Sequence, residues 1–166
     1  MKLVLPLMVM TASLANPAEQ APHLDRIAVV DYGIYTGDAA TSTPAPGTST
    51  GQVTFISNLQ LAEATRTIPA RLGVRFGFRF DVIGEPEGKT VTLHAVTIFP
   101  PPGLKNPALP QPKARSDYNL TATLGTQSYR TYTFDSDWEV VPGVWTMQLW
   151  DADRMVAEER FTVVRR

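Results

Sequence analysis

Three arginines recur at intervals of four, Arg71, Arg75 and Arg79, with Gly73 and Gly77 between them. On an extended strand four residues advance the chain about 13 Å and bring the side chain back to the same face, so three guanidinium groups would stand in a row. Each is a rigid fork of donors that matches a carboxylate or phosphate. Such a row either takes an anionic ligand lying along the sheet or is neutralised by Asp and Glu on neighbouring strands, with aromatic rings or arginine stems covering the glycines. Neutralisation is the commoner fate. As a binding site, Arg71, Arg75 and Arg79 are the first candidates, with Trp150 and the proline-rich segment 100–112 as rims.

The carboxylates offer less. Asp135, Asp137 and Glu139 share a face if 134–140 is extended, and Asp151 with Asp153 could sit near them across the hairpin. Oxygen ligands in that number suit calcium, but the spacing lacks the glycine and terminal glutamate of a calcium loop, and a solvated acidic edge that discourages strand addition explains them equally well. A pair such as Asp135 and Asp151 would serve glycoside hydrolysis only at about 5 to 9 Å around a cleft, and nothing in the sequence marks either acid as buried. The two histidines are His23, near the amino terminus, and His94 in a β-branched run, so a metal site or a Ser-His-Asp triad would rest on one ring. His94 is expected to be a half-buried structural residue. No serine lies in a Gly-x-Ser-x-Gly elbow, and the glycines between Arg71 and Arg79 are spaced for a strand rather than for a phosphate loop. No catalytic residue, metal or cofactor is predicted.

Among the aromatics, Trp145 alternates with Met147 and Leu149 and belongs to the core. Trp150 falls on the opposite face with Thr146 and Gln148. Beside Tyr129 or Tyr132 it would stack on a sugar ring or anchor a partner.

These residues sit on elements with a consistent pattern. Leu72, Val74, Phe76, Phe78, Phe80 and Val82 alternate with Arg71, Gly73, Arg75, Gly77, Arg79 and Asp81, the period of a strand with one buried face. Runs at 26–36, 90–99, 120–124, 129–134, 138–141, 144–150 and 161–164 read as further strands, and 53–61 fits a strand or a short helix. The Gly, Ala, Ser, Thr and Pro stretch 37–52 is expected to be a mobile surface loop. Six prolines within 100–112 predict a stiff, extended connection over one end of the domain. The sum is all-β: one immunoglobulin-like antiparallel sandwich of seven to eight strands over 25–166, behind a flexible lead at 16–24.

Residues 1–15 carry Lys2, an apolar run from Leu3 to Met10, and Ser13-Leu14-Ala15, a pattern that predicts a signal peptide cleaved after Ala15. The run is too short to span a bilayer. The chain has no cysteine, which removes disulfides, thiolate sites and a lipoprotein anchor. With 15 Lys and Arg against 16 Asp and Glu it is nearly balanced, so nucleic acid and anionic lipid are not expected partners.

The segments Asp31-Tyr32-Gly33-Ile34-Tyr35, Ile68 to Phe78, Phe99-Pro100-Pro101-Pro102-Gly103-Leu104 and Val141-Pro142-Gly143-Val144-Trp145 resemble, in order, a family of small exported bacterial proteins catalogued as a domain of unknown function with an immunoglobulin-like fold. The resemblance spans nearly all of the chain after residue 15 and implies the fold, with no activity, ligand or catalytic residue attached.

The expectation is therefore a periplasmic or secreted, non-catalytic module, monomeric or weakly associating, that binds a protein or glycan partner through its surface. Two alternatives stay open. A carbohydrate-binding module would set Trp150 and tyrosines coplanar on one face, and a periplasmic chaperone or assembly factor would offer an open sheet edge to a client strand.

Overall fold

In the computed structural model, which describes residues 20–165, nine strands form two sheets. In chain order they are β1 (His23–Pro44), β2 (Gln52–Glu63), β3 (Thr67–Pro69), β4 (Arg75–Glu85), β5 (Thr90–Ile98), β6 (Arg115–Thr123), β7 (Gln127–Thr133), β8 (Gly143–Asp151) and β9 (Arg154–Val164). One sheet runs β2-β1-β4-β7 and the other β3-β9-β8-β5-β6. All pairings are antiparallel except that of β3 with β9. The signal segment predicted at 1–15 and most of the lead lie outside the described residues. No described helix is long and apolar enough to cross a membrane.

The alternation in β4 drives the packing. Val74, Phe76, Phe78, Phe80 and Val82 are all buried, whereas Arg75, Arg79 and Asp81 between them are only half-buried. Burying each phenylalanine contributes about 2 to 3 kcal/mol. Trp145, fully enclosed as expected, meets Phe76, Phe99, Tyr132 and Phe134 edge-on at centroid distances of 5.7, 4.9, 5.0 and 5.5 Å. Its indole nitrogen donates to the Val141 carbonyl at 2.9 Å, so the ring brings no unpaired donor into the core.

Several sequence expectations are corrected. The strand starts at Arg75, and 71–74 form a turn in which Leu72 is 48% exposed. Trp138–Val141 is not a strand, because Asp137–Glu139 makes one turn of 3-10 helix. The segment 53–61 is a strand, within β2. The short parallel β3 raises the strand count above the seven or eight expected, and β6 and β9 begin earlier than expected. Their opening residues, 115–119 and 154–160, are mostly half-buried or exposed and mostly polar, so no apolar alternation announces a strand there.

The largest correction concerns 37–52. Residues 37–44 continue β1, pairing with β2 from Ile34↔Glu63 to Pro44↔Gln52, and 45–51 form the hairpin tip. Small polar residues form this arm because backbone pairing between two strands needs no apolar side chains of its own. His23 and Leu24, predicted within the flexible lead, are already in β1, and Leu24 is buried. The proline-rich segment is not extended either. It turns at Pro100, whose carbonyl accepts from Gly103 N–H, and folds back through a bridge between Leu104 and Lys113.

Candidate functional site: a polar cavity at the sandwich edge

β1 pairs with β4 from His23 to Tyr35 and beyond that point only with β2. The freed arm folds across β7, the last strand of its sheet. Tyr129 on β7 donates its hydroxyl to the Ile56 carbonyl at 3.0 Å and accepts from Ile56 N–H at 2.7 Å. Farther along, the hairpin tip reaches the opposite sheet. Asp117 N–H donates to Gly47 O at 3.1 Å, and Ser49 N–H donates to Ser116 Oγ at 2.6 Å. A side chain at position 47 would stand 2.2 Å from the Asp117 carbonyl oxygen, so only glycine permits this approach. Lys113 clamps the tip by donating to the carbonyls of Pro46, Gly47 and Thr48 at 3.3, 2.8 and 2.9 Å, and the Asn106 side chain donates to Ser49 O at 2.8 Å.

The arm thus bridges the gap between the edge strands β6 and β7 and encloses a cavity of about 130 Å³. Its inner wall carries Thr97 of β5, Ser116 and Tyr118 of β6, and Arg130 and Tyr132 of β7, and its mouth is set by exposed Thr50, Gln52 and Asp135. A cavity of comparable volume, about 150 Å³, holds a benzene molecule when its lining is apolar. Here the lining is rich in hydroxyls.

Arg130 is the unusual member. It is 3% exposed, pointing inward beside Phe78, its cross-strand partner on β4. Nη2 donates to Thr97 Oγ1 at 2.6 Å, and the Tyr118 ring centroid lies 5.3 Å from the guanidinium carbon. Nε is buried without an acceptor, and no described carboxylate forms an ion pair with the group. Burial pushes its pKa below the ordinary arginine range, opposed by Tyr118. A guanidinium nevertheless stays charged in a protein, so a cation is held out of water with few partners. On the far side of β4–β7, Gly77 lets the backbone of Arg130 come close, since a Cβ there would stand 2.0 Å from the Arg130 carbonyl oxygen.

A second polar chain lines the same cavity. Ser49 Oγ and Tyr132 Oη are 3.1 Å apart, and Tyr132 donates to Glu139 Oε1 at 2.6 Å. Glu139 Oε2 accepts from the backbone N–H groups of Asp135 and Ser136 at 2.9 and 2.7 Å. Glu139 is 1% exposed, and burial raises its pKa while Tyr132 and the two amides work against that rise. Burial, reinforced by Glu139, pushes the Tyr132 phenol well above its usual range.

The arginines picked out from sequence are not assembled as a row. Arg71 lies in the turn before β4 and is exposed. Arg79 grips Asp31, its cross-strand partner on β1, through Nε at 2.9 and 3.1 Å and through Nη2, and Tyr35 donates to the same carboxylate at 2.6 Å. Arg75 donates to Thr133 Oγ1 at 3.0 Å and to Gly37 O at 2.8 Å, tying the arm to β4 at the cavity wall. Neutralisation by a carboxylate on a neighbouring strand, the alternative weighed from the sequence, describes Arg79, whereas Arg75 is held by a hydroxyl and a backbone carbonyl.

The other candidates also separate. Trp150 is half-buried on the outer face of the five-stranded sheet opposite His94, with its indole nitrogen donating to Gln148 Oε1 at 3.0 Å. Tyr129 and Tyr132 belong to the other sheet, so no aromatic platform forms with Trp150. His94 is half-buried as expected, 3.5 Å from Asp117. Asp135 and Asp137 are exposed while Glu139 turns inward, because the 3-10 turn breaks the strand face that would have aligned them. Among the described residues no three His, Asp or Glu side chains are close enough to hold a metal ion. Sequence reasoning passed over Arg130, yet a signal existed: counting by twos from Phe134 through Tyr132 places Arg130 on the core face.

Comparisons with known proteins agree with this fold. No curated protein matches the chain. An immunoglobulin-like protein from Pseudomonas aeruginosa, known from a crystal structure, superposes with a TM-score of 0.55 at 24% identity, covering 89% of this chain and 100% of that one. A family model described as a domain of unknown function, DUF3859, matches residues 25–163. With that match covering the whole sandwich, and with an immunoglobulin-like neighbour in three dimensions, the chain belongs to the DUF3859 family.

Proposed function

We propose that this protein is an exported, periplasmic or secreted, non-catalytic module that acts by binding, and that the ligand sits in the cavity between β6 and β7 beneath the β1–β2 arm. The observation that carries the reading is a hydroxyl-lined cavity of about 130 Å³ with a buried, incompletely partnered cation in its wall. A folded domain otherwise fills such space with apolar side chains, since unpaired buried polar groups are costly.

A hydrolytic reading of the chain Ser49, Tyr132 and Glu139 has less support. Its middle member would have to accept the serine proton, but a phenol whose pKa is raised stays protonated and donates its hydrogen bond to Glu139. A client-strand chaperone is less supported too, because the arm covers β7 and the exposed edge strand β2 is broken by register shifts and by Asn58 at φ 53°.

Export is tested by fractionating cells and sequencing the mature amino terminus, expected at Asn16; a cytoplasmic protein retaining Met1 overturns it. Binding is tested by titrating ¹⁵N-labelled protein with a library of small polar molecules. Hits should shift the amides of Ser49, Thr97, Ser116 and Tyr132. Hits confined to the face bearing His94 and Trp150 would move the function there.

A further inference from the structure

We infer that the ligand of this cavity is a small monocarboxylate of about six non-hydrogen atoms, a size set by analogy with the benzene-holding cavity, seated with its carboxylate on Arg130. This inference rests on the binding reading above and names the chemistry of the same site.

Four observations converge. Arg130 is buried, and its Nε has no acceptor within the described protein. Its neighbours Thr97 Oγ1 and Tyr118 bring no carboxylate to it. An arginine fork places parallel N–H donors against a carboxylate, so a carboxylate on the cavity side of the guanidinium would neutralise a cation that the protein itself leaves uncompensated. The remaining wall supplies the hydroxyls of Ser49, Ser116 and Tyr118, which suit a hydroxyl or carbonyl next to the acid.

The sign and size of the ligand charge also follow. Arg75 lies on the wall but is engaged by Gly37 O and Thr133. Glu139 and Asp135 line the same cavity. A dianion such as phosphate would bring two negative charges up to those carboxylates and a monocarboxylate only one, so the guanidiniums of Arg130 and Arg75 on this wall favour the single charge. The occupant enters past Thr50 and Gln52, beside a tip that Lys113 holds in place.

The test uses the full mature protein and five probes: glycolate, lactate, their neutral amides glycolamide and lactamide, and inorganic phosphate. The Arg130 Nε–H resonance and the amides of Thr97 and Ser116 are followed by NMR. The two carboxylates should move all three signals saturably and bind at least about tenfold more tightly than the amides, with phosphate weaker than either carboxylate. Arg130→Met should erase the preference of carboxylate over amide. If the amides bind as well as the acids in the unmodified protein, the anion assignment is overturned while the cavity remains a binding site. Phosphate binding more tightly than lactate overturns the carboxylate assignment. If no probe moves any cavity resonance, this inference and the binding reading fall together.

Discussion

Replacing Arg130 with methionine should make the ligand-free protein more stable, which is unusual for a fully buried side chain. Taking a guanidinium out of water costs several kcal/mol even after relaxation. Against this, the protein offers one charge-assisted hydrogen bond to Thr97 at 2.6 Å, worth about 1.5 to 3 kcal/mol, and the Tyr118 ring at 5.3 Å, worth about 2 kcal/mol at most. Methionine keeps much of the length, removes the charge and the orphaned Nε, and leaves one hydroxyl, Thr97, short of a partner at a cost of about 1 kcal/mol. The net expectation for Arg130→Met is a gain of about 1 to 2 kcal/mol, or about 3 to 6 °C in Tm for a domain of this size. Urea and thermal melts followed by circular dichroism should be run on protein refolded from denaturant, so that no bound ligand contributes to the unmodified form. A loss of 2 kcal/mol or more on substitution, at about unchanged denaturant sensitivity, would mean that the cation is already compensated in the empty protein. The chemistry assigned to the cavity would then lose its basis.

Two further outcomes follow from the contacts around the site. Asp31 is held below its usual carboxylate range chiefly by the Arg79 hydrogen bonds and also by Tyr35, so its contribution is complete above pH 3.8 and is lost as the pH falls through the lower folded value. Asp31→Asn should therefore cost about 1 kcal/mol at neutral pH, with the gap to the unmodified protein closing in urea melts below pH 3.8; a gap that stays constant with pH would refute the ion pair as its source. Lys113→Met should remove three tip contacts, lower stability by about 1 to 2 kcal/mol and speed amide exchange across 45–51 without affecting β4. Unchanged exchange in the tip would show that Asn106 and Ser116 hold the arm by themselves.

Much of the architecture was written locally. The β4 alternation and the Trp145-Met147-Leu149 stripe set out the buried faces because side-chain direction in a strand depends only on parity. A chain without cysteine had to build its stability from those faces, and the all-β sandwich follows from them. Parity also placed Arg130 on the core face, beside Tyr132 and Phe134. What it could not give was whether that charge had a partner, since any partner would come from residues distant in sequence: Thr97 and Tyr118 lie on the other sheet. The same holds for Arg79, whose carboxylate is 48 residues away, and for the tip at 45–51, which Lys113 and Ser116 pin from more than 60 residues away. Segments of Gly, Ser, Thr and Pro carry no period to read. Their order comes from hydrogen bonds to a surface that exists only after the two sheets have packed, and so the cavity belongs to the tertiary structure while the strands around it belong to the sequence.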